Sequence, residues 1–113
     1  MHCAHGYLLC QFLGSKTNRR EDEWGGSIEA RSKIIIEIIK AIKLVVPKSF
    51  IIGIRISPEI KEMGIDLIEM LAFIKNLRRY DLDFIHISCW DIYSTSNKYI
   101  DKQYTLTEWF TKS

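Results

Sequence analysis

Residues 49–57, "SFIIGIRIS", lie between Pro47 and Pro58 and are mostly apolar. A short β-branched run closed by prolines predicts a strand, and a strand apolar on both faces is what a parallel sheet covered on two sides requires. Alternation puts Ile51, Gly53 and Arg55 on one face and Ile52, Ile54 and Ile56 on the other. The flanking sequence reads as helix on both sides. Upstream, Ile28, Arg31, Ile35, Ile38, Ile39, Ile42 and Val46 recur at helical spacing while Lys33, Glu37 and Lys40 line the opposite face. Ser27 is a suitable N-cap and Pro47 a stop, so a helix is predicted from about Ser27 to Val45. Downstream, "PEIKEMGI" (58–65) reads as a loop. Asp66 can then cap a second helix with apolar positions at Leu67, Met70, Leu71, Ile74 and Leu77.

Working outward, "LDFIHIS" (82–88) reads as a second buried strand. In "TLTEWF" (105–110), Thr105 and Glu108 have capping-box spacing, which predicts a third helix starting near Leu106. With a possible strand remnant at the N-terminus, β and α alternate along the chain, hence parallel strands joined by right-handed crossovers. Two full strands leave ladder edges unpaired and apolar faces that two helices cannot cover. The pattern is therefore expected to be a segment of a larger α/β domain. There is no internal repeat beyond the βα unit.

The composition is that of an ordinary globular protein, with 47% hydrophobic and 27% charged residues in 113. The net charge of +2 comes from dispersed Lys and Arg, which gives no nucleic-acid footprint and no polybasic membrane patch. Cys3, Cys10 and Cys89 are odd in number and widely spaced, so reduced thiols are expected rather than a disulfide framework or a zinc ribbon. The most apolar stretch, "KIIIEIIKAIKLVV" (33–46), is interrupted by Glu37, Lys40 and Lys43, which excludes a continuous membrane span there. No secretory signal pattern precedes it, and a cytoplasmic location is expected.

Chemistry concentrates in the opening residues, "HCAHGYLLCQFL" (2–13). His2, His5 and Cys10 are conceivable metal ligands, although the set lacks a fourth member, and the bland alternative is a pair of hydrogen-bonded histidines near a strand end. The stretch that follows, "TNRREDEWGGSIEAR" (17–31), changes that balance. Together the two stretches resemble the old yellow enzyme family of FMN-dependent NAD(P)H:flavin oxidoreductases and ene-reductases. The likeness falls at His2, His5, Gly6, Tyr7, Leu8, Gln11, Phe12, Leu13, Thr17, Asn18, Arg20, Asp22, Trp24, Gly25, Gly26, Ser27 and Arg31, while Ala30 departs from the usual asparagine. "IIGIRISPE" and "LDFIHIS" continue it as the fifth and sixth strands, and it weakens from Cys89 onward.

The resemblance implies an eight-stranded (β/α) TIM barrel, of which residues 1–113 would be a partial domain of about two βα units, incomplete at both ends. It runs from the end of the fourth strand to about the sixth. FMN is the implied cofactor and NAD(P)H the implied reductant. In such enzymes the positions matching His2 and His5 hydrogen-bond the carbonyl or nitro oxygen of an electrophilic small-molecule substrate. Two imidazole donors aimed at one oxygen stabilise the charge that develops there. The position matching Tyr7 is the usual proton donor, a phenol with reference pKa about 10 that protonates the carbon next to the activating group after flavin N5 delivers hydride. Arg55 matches the arginine that contacts the flavin ring. Independently, an arginine inside a barrel needs an anion, either reduced flavin or a buried carboxylate. Gly53 either leaves room for the ring or belongs to a barrel layer that alternates small and large residues.

Other residues carry blander expectations. His86 is expected to pack in the barrel wall, and Trp90 and Asp91 to lie on the rim. The "NRRE" charges should sit on a solvated loop anchored by Arg and Asp pairs, with Trp24 as its packing residue. The phosphate site that such barrels build after strands seven and eight would lie outside the chain, so the chain alone is expected to be inactive. The rival readings are a non-catalytic α/β unit that self-associates or is completed by another polypeptide, and a small metal-binding module. No nucleic-acid or membrane partner is expected.

Overall fold

A computed structural model describes residues 1–98 and 103–112. Three parallel strands, β1 (His2–Cys3), β2 (Gly53–Ile56) and β3 (Phe84–Ile87), form one sheet in the order β1-β2-β3. The helices are α1 (Leu8–Leu13), α2 (Ile28–Val45), α3 (Leu67–Leu77) and α4 (Leu106–Lys112). Alternating strands and helices with parallel pairing make the chain α/β, as its sequence predicts.

The caps explain where the long helices begin. The Ser27 hydroxyl accepts from the Ala30 amide at 3.3 Å and the Asp66 carboxylate from the Ile68 amide at 2.9 Å. At α4 the capping box closes in both directions. The Thr105 amide donates to Glu108 Oε2 at 2.7 Å, and the Glu108 amide to Thr105 Oγ1 at 3.4 Å. The six-residue α1 was not foreseen, because it is too short to express a helical period and its N-cap, Tyr7, makes no side-chain cap bond.

The register pairs His2 with Arg55 and Arg55 with His86, so these three lie in a row on one face of the sheet. Cys3, Ile54 and Ile56 point the other way and are fully buried against the helices, in a core with Cys10, Leu13, Ile35, Ile39, Met70, Phe73 and Leu77. Arg31 is buried in α2 and pairs with Glu69 of α3, joining the two crossover helices by a charge-assisted bond.

Two expectations need correction. "LDFIHIS" is not buried on both faces: Phe84 is 54% exposed and His86 is exposed, because the helices cover only the side carrying Ile85 and Ile87. His86 accordingly does not pack in a wall but lies on the uncovered face beside Arg55. The loop read from 58 to 65 also has internal structure, an antiparallel bridge between Ile60 and Ile65 around a turn at Lys61–Met63.

Candidate active site

At the C-terminal ends of the three strands the chain turns sharply, and the turns carry the side chains of interest. After β1, His5 and Gly6 both take left-handed backbone angles, with φ of 55° and 79°. The conformation suits glycine but costs a histidine about 1–2 kcal/mol, so something must hold it. Ser57, just past β2, accepts the His5 amide proton at 3.0 Å, and Ser88, just past β3, meets His5 Nε2 at 2.7 Å. The turn is closed from behind by Gln11, whose side-chain amide donates to the Gly6 carbonyl at 2.9 Å.

The same Ser88 oxygen accepts from Arg55 Nη2 at 2.7 Å. His5, Ser88 and Arg55 therefore form one hydrogen-bonded chain across all three strands. Arg55 Nε and His5 Nδ1 are buried atoms without a hydrogen-bond partner. Among the described residues no carboxylate pairs with Arg55. Burial, and then the neighbouring Arg55 and His2, hold the His5 pKa below its ordinary value, so its ring is neutral at pH 7.

His2 and Tyr7 complete the cluster. The His2 ring centroid lies 6.3 Å from that of His5 and 5.2 Å from that of Tyr7, whose side chain is 65% exposed at the start of α1. Trp90 is brought edge-on to His5 at 5.2 Å while remaining 87% exposed, a rim residue with an inner contact. A cleft of about 530 Å³ opens at this end between Ser57, Pro58, Ser88 and Trp90. A second cleft of about 580 Å³ lies away from these groups, between Lys16, Asp66 and Lys98. Beneath Arg55, the space over Gly53 is filled by the Phe84 ring, so the glycine is the small member of a small–large pair.

The four residues singled out from sequence thus converge on one face and one end of the sheet. Ser57 and Ser88 were missed, although the sequence carries a signal for them. "IRIS" (54–57) and "IHIS" (85–88) are the same pattern in two strands paired Ile54 to Ile85, and each places a hydroxyl just beyond its strand. The loop behind α1 is anchored as its charges suggest. Arg20 pairs with Asp22, and the Asn18 side chain donates to the Phe12 and Trp24 carbonyls at 2.9 and 2.8 Å. Lys33 lies over the Trp24 ring at 4.6 Å.

The metal reading finds no geometry. Cys10 sits in the helix-side core with Cys3, whereas His2 is on the opposite face of the sheet, and no metal-ligand cluster occurs among the described residues. Burial also pushes the thiols up, Cys3 to about 12.

A family model described as "NADH:flavin oxidoreductase / NADH oxidase family" matches residues 1–112. The chain is 40% identical over 88 residues to the NADH-dependent flavin oxidoreductase iliE of Hypocrea jecorina, covering 78% of this chain and 22% of that protein. It is 36% identical to an NADPH dehydrogenase of Bacillus licheniformis, covering 78% and 26%. Among solved structures, morphinone reductase in complex with tetrahydroNAD superposes with a TM-score of 0.65 at 32% identity, covering 76% of this chain and 24% of that one. Old Yellow Enzyme from a Pichia species gives 0.66 at 29% identity, covering 76% and 25%. The chain spans about a quarter of the length of these relatives. No helix among the described residues is long and apolar enough to cross a membrane.

Proposed function

Because the chain belongs to the NADH:flavin oxidoreductase / NADH oxidase family, we propose that it forms one sector of an FMN-dependent, NAD(P)H-driven oxidoreductase site of the old yellow enzyme type. The observation that carries this reading is Arg55. Its guanidinium is tied to Ser88 through Nη2, keeps a buried Nε with no acceptor, has no carboxylate partner among the described residues, and stands between His2 and His86 on the uncovered face. A fixed, partly exposed cation without a carboxylate partner among the described residues suits an electron-rich planar ring, and the residues present therefore fit flavin. Bound FMN would supply two-electron hydride chemistry.

The chain's own groups divide the remaining work. His2 and His5 donate hydrogen bonds to the oxygen of an electrophilic small-molecule substrate, and the neutral His5 ring does so without adding a charge of its own. Tyr7 holds the proton delivered to the substrate carbon, and its exposed position at the start of α1 lets the phenol reach a bound molecule. Arg55 orients the ring and offsets negative charge that builds on it. The sheet face bearing these groups has no cover within the described residues, so a site that excludes water needs the rest of a barrel. By itself the chain is expected to have no turnover.

The test is a chimera in which residues 1–112 replace the matching segment of the Bacillus licheniformis NADPH dehydrogenase. The expected protein retains FMN and reduces an enone. Tyr7→Phe should lower the rate ~10²–10⁴-fold with flavin content unchanged, and Arg55→Ala should lower flavin occupancy. A folded chimera whose flavin affinity ignores Arg55→Ala would overturn the reading.

A second reading rests on the same uncovered face. Phe84 is half exposed, and β1 and β3 each have one outer edge without a ladder partner among the described residues. This favours completion of the sheet by another polypeptide or a second copy. Sedimentation of the isolated chain as a monomer at high micromolar concentration would exclude self-association.

A further inference from the structure

Arginine is long and flexible, and in this sheet a single contact sets where the Arg55 charge stands. By register Arg55 lies level with His86, yet its Nη2 reaches the Ser88 oxygen at 2.7 Å, two residues further along β3. The guanidinium is thereby drawn ~6–7 Å along the strand direction, toward the ends that carry His5 and Tyr7. Among the described residues Ser88 is its only hydrogen-bond partner. A guanidinium can only donate, so the serine oxygen accepts, and the hydroxyl still has capacity to meet His5 Nε2, also at 2.7 Å. Ser88 is itself fixed. Its amide donates to the Ile56 carbonyl at 2.9 Å, which carries the β2–β3 ladder one residue past the strand. Alternation then puts its side chain on the same face as Phe84 and His86, and although that face is open, Ser88 is 7% exposed.

We propose that Ser88 is a positioning residue for Arg55, holding the guanidinium at the strand ends for the electron-rich ring that Arg55 serves. The inference rests on the proposed role of Arg55 toward flavin, and it adds the residue through which that cation is aimed. A free arginine would have to give up its rotamer freedom when a ligand arrives. Held by a buried hydroxyl on a fixed backbone, Arg55 has given it up beforehand, so its charge is set in place before anything binds. The two serines that end "IRIS" and "IHIS" divide the work. Ser57 accepts the His5 amide proton and so holds a turn of the backbone, whereas Ser88 meets only side chains through its hydroxyl, the Arg55 guanidinium and the His5 ring. Loss of Ser88 therefore frees the cation without undoing the turn.

The first test needs no flavin. In the 113-residue chain labelled with ¹⁵N-arginine, a guanidinium held through Nη2 rotates slowly in the cold and gives resolved Nη signals, assigned by their loss in Arg55→Lys. Ser88→Ala should average them, and Ser88→Thr, which keeps the hydroxyl, should leave them resolved. Averaged Arg55 signals in the unmodified chain overturn the proposal, whether or not the alanine variant folds. So do resolved signals in a folded Ser88→Ala. The second test measures FMN affinity in the chimera with the Bacillus licheniformis enzyme. Ser88→Ala should weaken binding roughly 10-fold and Ser88→Thr should restore it. Added to Arg55→Ala, Ser88→Ala should cost little more, because the serine acts through the arginine. Affinity that falls with Arg55→Ala but not with Ser88→Ala sinks this inference and leaves the flavin reading standing. Indifference to both variants sinks both.

Discussion

The two faces of the three-stranded sheet are built to opposite rules. On the helix side, Cys3, Ile54 and Ile56 disappear into a dry core with Ile35, Ile39, Phe73 and Leu77. On the other side, at the adjacent position in each strand, stand His2, Arg55 and His86, in a row without a carboxylate partner for the arginine among the described residues. The first face can account for the stability of the fold and offers no chemistry. The second offers donors and a cation, and contributes little that would hold the chain together. A strand with a period of two keeps these tasks on separate sides, so sequence can change on one face with little effect on the other.

The sharpest way to break this division is to truncate one side chain on each face. Phe73→Ala, at a site 2% exposed, should cost about 3–5 kcal/mol of unfolding free energy. His86→Ala on the uncovered face should stay within about 0.5 kcal/mol. Urea denaturation followed by circular dichroism measures both, and comparable losses would mean that the open face is as structural as the closed one.

How much of this was legible beforehand differs between the faces too. The helix side was read well, because apolar periodicity and caps are local. Ser27, Asp66 and the Thr105–Glu108 pair all cap where the sequence places them. On the open side, His2, His5, Tyr7 and Arg55 were found through a motif, and strand alternation put Arg55 on the right face. What links them was not visible. Ser88 joins His5 across 83 positions and Arg55 across 33, and Ser57 reaches His5 across 52. No local pattern encodes which hydroxyl meets which ring. His86 was misplaced for a related reason: "FIHIS" shows that a strand is apolar, but not which of its faces lacks a cover.

Gly53 sharpens the comparison, since it is the place where the open face does pack. A Cβ there would lie 2.1 Å from the Phe84 ring, so Gly53→Ala must displace the ring, at a cost of about 1–3 kcal/mol. In a Phe84→Ala background the obstruction is gone. The same alanine should then stabilise by about 0.5–1 kcal/mol, through the lower entropy of the unfolded chain and a better strand residue. A double-mutant cycle reads the coupling directly, and additive effects would show that the ring does not rest on the glycine.

The smallest effect lies in the helix layer and is a matter of charge. Burial alone would raise the Asp66 carboxyl, but hydrogen bonds from Lys98 and the Ile68 amide, with the Lys98 charge and the Glu69 amide, together hold its pKa below the ordinary carboxylate value. A carboxylate depressed in the folded state contributes stability that is present above its unfolded pKa, about 3.9, and is lost as pH falls through the lower folded value. Asp66→Asn keeps an N-cap acceptor and removes the charge, so it should flatten this acid limb, losing at pH 7 the charge-linked stability and converging on the unmodified chain at low pH. Asp66→Ala removes the cap itself and should cost about 0.5–2 kcal/mol at every pH. Because Asp66 belongs to the helix side, neither variant should alter the His5 ring signals at pH 7.5. A change there would show that the rim couples the two faces that the strand period keeps apart.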